Sequence, residues 1–246
     1  QKAEVSQKST NRDSSLTAFA QNDNKGNHRD ISLSTKAQYD NNGETPNLPQ
    51  GWTIKTLGEI GEIVSGGTPS TTQADNFGGN IAWITPADLS NHNDKFISQG
   101  KRNISKKGLK SSSARLVPKG TILFSSRAPI GYVAIASNSL CTNQGFKSLI
   151  PKENVFSEFV YYYLLNAKSL AESYASGTTF KEISAKSFSK LPIPLPPLQT
   201  QKQIVAILEK HFSSADKTGA FIDSALKNAK QLKSSLLKSA FAGELV

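Results

Sequence analysis

Seven basic residues, Lys101, Arg102, Lys106, Lys107, Lys110, Arg115 and Lys119, follow one another without an intervening acid. Asn103, Ser105, Ser111, Ser112 and Ser113 lie between them and add short donors suited to phosphate oxygens. The chemistry such a run supports is binding to a polyanion backbone, where lysine and arginine displace condensed counterions. A merely solvated charged face has the same composition, so the run needs support from the rest of the chain. The whole chain supplies it, because 29 Lys+Arg against 19 Asp+Glu give a formal net charge of +10. The isoelectric point near 9.6 agrees, and a surface that basic attracts phosphate without special geometry.

Three other places carry residue types that meet nucleic acid. Ser65, Gly66, Gly67 and Thr68 open a glycine turn running through Pro69 and Ser70, whose backbone N–H groups are expected to cradle a phosphate. A plain hairpin turn accounts for the same residues equally well. The segment is not a Walker loop, since GK[ST] is absent, and no GxGxxG follows a strand. A second hydroxyl-rich turn contains Thr178 and Thr179 and ends at Lys181, expected at the mouth of a helix. Arg127, at the end of an apolar run, and Asn143, Gln144 and Lys147 beyond it include the types that read base edges, arginine to guanine and Asn or Gln to adenine. The same types also satisfy backbone carbonyls at strand ends. Phosphate contacts are expected at Lys101, Arg102, Lys106, Lys107, Lys147 and Lys181, with Lys110 in the same patch, and base contacts among residues 91–110 as well as at Arg127 and Gln144.

A search for catalytic groups finds no constellation to accompany these. GxSxG, HExxH and [DNS]PP[YFW] are missing, and Pro196-Pro197 lacks both flanks of the last. A PD-(D/E)xK nuclease core cannot be assembled around Asp88 or Asp94. His28, His92 and His211 are too scattered for a metal cluster, and Cys141 stands alone, which excludes a disulfide framework and a CxxC motif. No cofactor and no metal are therefore expected in the chain, which reads as a binder without turnover. The best apolar run, 122–136, contains Arg127 and falls short of the ~20 residues a membrane span requires. With no secretory signal, the cytoplasm is the expected location. The chain opens with Gln1 and has no Met, which points to a processed product or an excised fragment.

The elements that must position these groups fall into three segments. Residues 1–47 are rich in Asn, Ser, Gln and Asp, carry 6 basic and 6 acidic residues, and read as a polar linker or disordered tail. From Leu48 the texture changes to frequent apolar residues with regular Gly and Pro, and residues 48–198 hold 16 basic and 9 acidic residues, a net of +7. Segments 52–57, 81–84, 121–124 and 132–135 read as strands. Residues 157–174 read as a helix with Phe159, Val160, Tyr163, Leu164 and Ala167 on one side. The mixture predicts an α+β domain with Trp52, Trp83 and the Tyr161–Tyr163 run in its core. Leu191 to Pro197 is stiff and extended.

Residues 199–246 read as one long helix starting at a Thr200/Gln203 capping box. Its 4-3 spacing of Leu208, Phe212, Ala215, Gly219, Ile222, Leu226, Ala229, Lys233, Leu236 and Ala240 is that of a coiled-coil seam seeking a partner helix. A hairpin at Gly219, folding the helix back on its own domain, is the alternative.

The ordered motifs resemble the specificity subunit of type I restriction-modification systems. They are Leu48-Pro-Gln-Gly-Trp52, residues 57–70, Ile84-Thr-Pro-Ala-Asp-Leu89, Gly120 through Tyr132, Asn143-Gln-Gly-Phe-Lys147, Ser176-Gly-Thr-Thr179 and residues 192–204, and the match runs from about 48 to 246. The resemblance implies target-recognition domains that each read half of a split site in double-stranded DNA, each followed by a long helix that pairs antiparallel as a spacer. Methylation and cleavage then belong to separate methyltransferase and restriction subunits, and S-adenosylmethionine to the methyltransferase. One recognition domain and one helix correspond to half a subunit, either a C-terminal-half fragment or a natural half subunit that dimerises through the helix. Two other classes remain as alternatives: an autonomous DNA-modifying enzyme, and a protein-binding scaffold with an incidental basic face.

Overall fold

Ile, Val, Leu and Phe crowd into short runs separated by Gly and Pro, and those runs become strands. The computed structural model describes residues 48–178 and 181–244. Among them, the central sheet has five strands in the order β2 (Gly61–Ser65), β9 (Phe146–Pro151), β6 (Ile122–Ser126), β7 (Ile130–Ala136) and β4 (Phe96–Ile97). All its neighbours are antiparallel except β4, which runs parallel to β7. A second sheet orders β5 (Arg102–Ile104), β3 (Phe77–Ile84) and β8 (Cys141–Thr142), with β3 antiparallel to β5 and parallel to β8. The third is the antiparallel pair β1 (Thr53–Thr56) and β10 (Pro192–Leu195).

Strand β6 shows why its sequence reads as unbroken apolar. Ile122 and Phe124 enter one core while Leu123 enters another, so both faces of the central sheet are covered. The first core lies under α1 (Leu57–Ile60), α4 (Ser157–Asn166), α5 (Lys168–Ser173) and α6 (Ala185–Ser189), where Phe124 stacks on Phe188 at 4.9 Å. The second joins Leu123, Ala134 and Phe146 to Ile84 and to Leu89 of α2 (Pro86–Leu89). A small third core holds Trp83, Ile104, Ala114 and Cys141 beside α3 (Lys106–Lys110).

The helix expected over 157–174 is divided at Ala167, whose ψ of 12° lies outside the helical range. Its expected buried face is nevertheless the observed one, with Phe159, Val160, Leu164 and Ala167 buried and Tyr163 packed against them. Tyr161 and Trp83 are buried as expected, but Trp52 is only half-buried. The stiff proline stretch is β10. Pro192 and Pro194, which lack N–H donors, sit opposite Thr56 and Ile54 in a two-stranded pair whose other edge needs no ladder.

Helix α7 (Leu198–Phe241) is 44 residues long, about 66 Å at ~1.5 Å per residue. It does not begin at the expected capping box. Pro197 occupies the N-cap position with extended backbone, and Thr200 and Gln203 already lie within the helix. The buried anchor is Gln201 instead: its Oε1 accepts from Phe156 N–H at 2.8 Å, and its Nε2 donates to the carbonyls of Pro196 at 2.9 Å and Asn154 at 3.2 Å. Residues 211–238 are all exposed, and the helix passes Gly219 unbroken with nothing within 4 Å of the Cβ position there. The hairpin alternative is thereby overturned. No helix among the described residues is long and apolar enough to cross a membrane.

Candidate nucleic-acid interface

Short-range rules explain α3. Ser105 caps it by accepting from Gly108 N–H at 3.0 Å, and Gly108 is required because a Cβ would lie 2.2 Å from the Asn76 carbonyl oxygen. The helix is thereby pressed onto the 3-10 turn Ala74–Asn76, leaving Lys106, Lys107 and Lys110 exposed. Lys107 pairs with Asp75 at 3.2 Å and Arg115 with Glu62 at 3.0 Å, both solvent-exposed pairs that add little stability. Lys101, Lys106 and Lys110 carry no ion pair among the described residues. Arg102 lies over the Phe77 ring at 4.1 Å and 5.9 Å from that of Trp83.

In the glycine turn, the two glycine N–H groups are already engaged within the domain. Gly66 and Gly67 are buried, and their N–H groups donate to the carbonyls of Phe146 at 3.4 Å and Thr142 at 2.9 Å. A Cβ on Gly66 would lie 1.9 Å from Asn143 O, and one on Gly67 would lie 2.2 Å from Ala114 N, so close backbone approach explains these glycines. Ser65 and Thr68 remain exposed, and the Thr68 hydroxyl donates to Gln144 Oε1. Asn143 Oδ1 accepts from Gly145 N–H at 2.9 Å, closing the following turn. The structure thus unites two segments that are separate in sequence, and occupies the polar groups expected to face a ligand.

A similar outcome holds at Arg127. Ser125 is buried, its hydroxyl donating to Pro129 O at 2.8 Å and accepting from Tyr132 N–H at 2.7 Å, and this shapes the turn containing the cis Ala128–Pro129 bond. Arg127 then reaches Glu182 Oε2 at 3.5 Å. Lys147, expected on phosphate, is only 7% exposed; its ammonium meets Glu182 Oε1 at 3.4 Å and donates to Gln144 O at 3.4 Å. It is therefore removed from the set of phosphate ligands. Arg127, Pro129, Glu172, Lys181 and Glu182 line one cleft of about 640 Å³. Thr178 is exposed, whereas Thr179 lies outside the described residues, as do residues 1–47.

Contacts link these places to one another, in part through buried groups. Arg102 stacks on Phe77 beside Trp83, and the Trp83 indole N–H donates to Gly67 O at 2.9 Å. Thr68 meets Gln144, Gln144 meets Lys147, and Glu182 joins Lys147 to Arg127. Glu182 carried no signal in the sequence, since its partners lie 35 and 55 residues away. Cys141 takes no part: burial pushes its thiol up to about 11.

On α7, Leu208 is half-buried, while Phe212, Ala215, Ile222, Leu226, Ala229, Leu236 and Ala240 are exposed, Ile222 and Leu226 by 57% and 51%. Phe221, Leu232 and Leu237, not assigned to the seam, are exposed as well and widen the apolar stripe.

Residues 49–220 match the family model described as type I restriction modification DNA specificity domain. The chain is 42% identical over 196 residues to the type I restriction enzyme MjaIX specificity subunit of Methanocaldococcus jannaschii, covering 78% of this chain and 43% of that one. It is 32% identical over 175 residues to the HindI specificity subunit of Haemophilus influenzae, covering 68% and 38%. Its fold is similar to the crystal structure of the HsdS subunit from Thermoanaerobacter tengcongensis, with a TM-score of 0.56, 25% identity, and coverage of 86% and 49%. A structure from work on complex assembly and conformational transition of the type I R-M system gives a TM-score of 0.66 at 25% identity, covering 86% of this chain and 50% of that one. The chain spans about two fifths of the length of these two curated relatives.

Proposed function

This chain belongs to the type I restriction-modification DNA specificity family, and we propose that it reads one half of a bipartite site in double-stranded DNA. In this reading residues 48–198 form the recognition domain and α7 is the spacer that pairs with a second half subunit. The chain directs methyltransferase and restriction subunits to the site without catalysing either reaction. S-adenosylmethionine belongs to the methyltransferase partner, and the cytoplasm is the proposed location. Exposed cations at Lys101, Lys106 and Lys110 supply phosphate attraction, and the apolar stripe of α7 supplies the pairing face. The observation that carries the reading is one uninterrupted family match, 49–220, running from the globular part through the root of α7. The relatives lend nothing to the autonomous-enzyme or protein-scaffold alternatives.

Mobility shift of the full chain on duplex DNA with competitor, at ~50 and ~200 mM salt, tests it. A complex at the lower salt that weakens at the higher is expected; none at either salt rejects the reading. Incubation with DNA, Mg²⁺ and S-adenosylmethionine is expected to give neither cut nor methylated product, and either product reinstates the enzyme alternative.

A further inference from the structure

The residue types suited to base reading divide into two groups with opposite fates. Asn143, Gln144 and Arg127 each spend a hydrogen bond or ion pair within the chain, on Gly145, Thr68 and Glu182. On the second sheet the same types are unengaged. Phe77 and Ile81 of β3 both stand opposite Ile104 of β5, so Gly78, Gly79 and Asn80 have no counterpart and bulge from the ladder. Gly79 is pinned, because a Cβ there would lie 2.5 Å from Ser105 Cα and 2.6 Å from Ile104 O. Gly78 is open on every side with φ of +76°, and Asn80 is exposed.

Facing this bulge is a cleft of about 470 Å³ lined by Phe77, Gly78, Gly79 and residues 99–103. Its far wall is rigid. Asp88 Oδ2 accepts from Thr85 N–H at 2.8 Å and Thr85 Oγ1 at 2.7 Å, while Asp88 Oδ1 accepts from Lys101 N–H at 2.9 Å. Gly100 packs so tightly against that carboxylate that a Cβ would lie 2.7 Å from Oδ2. Among the described residues, the side chains of Asn80, Gln99, Arg102 and Asn103 make no hydrogen bond or ion pair. Arg102 is held by stacking on Phe77, a contact that leaves its in-plane N–H donors unspent.

We propose that this cleft, with Arg102, Gln99 and Asn103 on its walls and the exposed Asn80 on the adjoining bulge, reads base edges in a DNA groove. The inference rests on the duplex-binding reading above and moves Arg102 from phosphate ligand to base reader. Its logic is one of availability: base readout needs unpaired donors and acceptors on a fixed support, and glycines without side chains let another backbone come close.

Selection of duplexes from a random-sequence pool at low salt, with the full chain and the variants Arg102→Lys, Gln99→Ala and Asn80→Ala, tests the proposal. The wild type should enrich a consensus. Arg102→Lys keeps the charge and loses the fork together with the stack on Phe77, so a small drop in melting accompanies it, whereas Asn80→Ala removes an exposed side chain with no hydrogen bond or ion pair among the described residues and should melt like the wild type. Each variant that touches a base should lose the consensus at one position and bind the wild-type consensus about tenfold more weakly, with affinity for scrambled duplex unchanged. An unaltered consensus in all three variants overturns the cleft and leaves duplex binding standing. Equal loss on consensus and scrambled duplex also overturns it, since that is phosphate contact. A wild-type chain that retains no duplex removes both readings.

Discussion

The carboxylate of Glu209, about three turns into α7, forms an ion pair with the ammonium of Lys95 at the start of β4. Around it the Tyr162 hydroxyl lies 3.5 Å from the same carboxylate, Lys95 sits 5.6 Å from the Tyr162 ring centre, and the Phe212 ring packs on Tyr162 at 5.7 Å. Desolvation first, and Glu209 second, raise the ionisation of the Tyr162 hydroxyl above its usual range. Beyond Phe212 the helix is exposed through residue 238, so these contacts hold its root against the domain and set the direction in which it leaves.

Glu209→Ala should loosen that root. Because Glu209 is 45% exposed, the ion pair contributes no more than about 0.5–1 kcal/mol, a few-fold in local opening. Hydrogen exchange over residues 206–214 should accelerate by that factor while residues 120–150 stay unchanged. Identical exchange in both segments would show that the joint exerts no hold.

Gln201 has a larger effect on stability. Gln201→Leu removes three hydrogen bonds and strands the buried carbonyl of Pro196 and the part-buried N–H of Phe156, while the Asn154 carbonyl can turn to water, at a cost of roughly 1–3 kcal/mol. Urea unfolding should show a lower midpoint with an unchanged slope. A loss below about 1 kcal/mol would mean that these groups find other partners, and that the helix is anchored chiefly by Val205 and Ile204.

Among the described residues, nothing covers the apolar stripe beyond Phe212. Ile222→Asp with Leu226→Asp places two carboxylates on the seam, each next to side chains that pairing must dehydrate. Self-association measured by light scattering should disappear, while melting of the domain stays within about 1 °C because both positions are solvent-exposed in the single chain. An oligomer that survives the double change would locate the pairing face elsewhere.

Cys141 provides a pH dependence with a definite sign. Its thiol is moved by burial from 9.0 to about 11, so the folded chain keeps a proton that the unfolded chain gives up. Below pH 9 both states hold it and the contribution to stability is complete; as pH rises towards 11 that contribution is lost. The decline across the window should be roughly 2 kcal/mol larger in the wild type than in Cys141→Ala, which keeps the share due to Tyr161 and Tyr162, both also raised by burial, as read from the urea midpoints at pH 8 and pH 10.5. Parallel curves for the two proteins would mean that the thiol titrates as if in water.

Local pattern made part of this structure legible and long-range pairing hid the rest. Strands β6 and β7 and helix α7 announce themselves by apolar runs and by 4-3 spacing, which need no knowledge of a partner. Strand β5 was concealed because Arg102–Ile104 lies inside a run that reads as solvated charge. The three-residue bulge on β3 is a property of its register with β5 and has no local signature beyond two adjacent glycines. The same limit applies to the site. That Lys106 and Lys110 are exposed follows from their type, but which cations are already paired depends on Glu62, Asp75 and Glu182, which lie 53, 32 and 55 residues from Arg115, Lys107 and Arg127. At Gly66 and Gly67 the sequence leaves a phosphate turn and a plain hairpin equally open for a related reason, since only the fold shows that Asn143 and Ser113 close over them.

That distribution of pairing ranks the lysines of α3. Lys106 has no ion pair among the described residues, whereas Lys107 already shares its charge with Asp75 at 3.2 Å. Each phosphate contact adds about 0.9 to the slope of log affinity against log salt, so Lys106→Gln should lower the slope by nearly that amount and Lys107→Gln by less. The loss should be equal on every duplex sequence, because phosphate carries no base identity. Charge reversal at both positions should weaken binding further and flatten the slope more. If Lys107→Gln proves the more damaging, the Asp75 pair must open on DNA, and the surface ligand acts through a released lysine. If neither substitution changes the slope, α3 does not face the backbone, and the attraction comes from cations outside it, such as Lys101 and the lysines of α7.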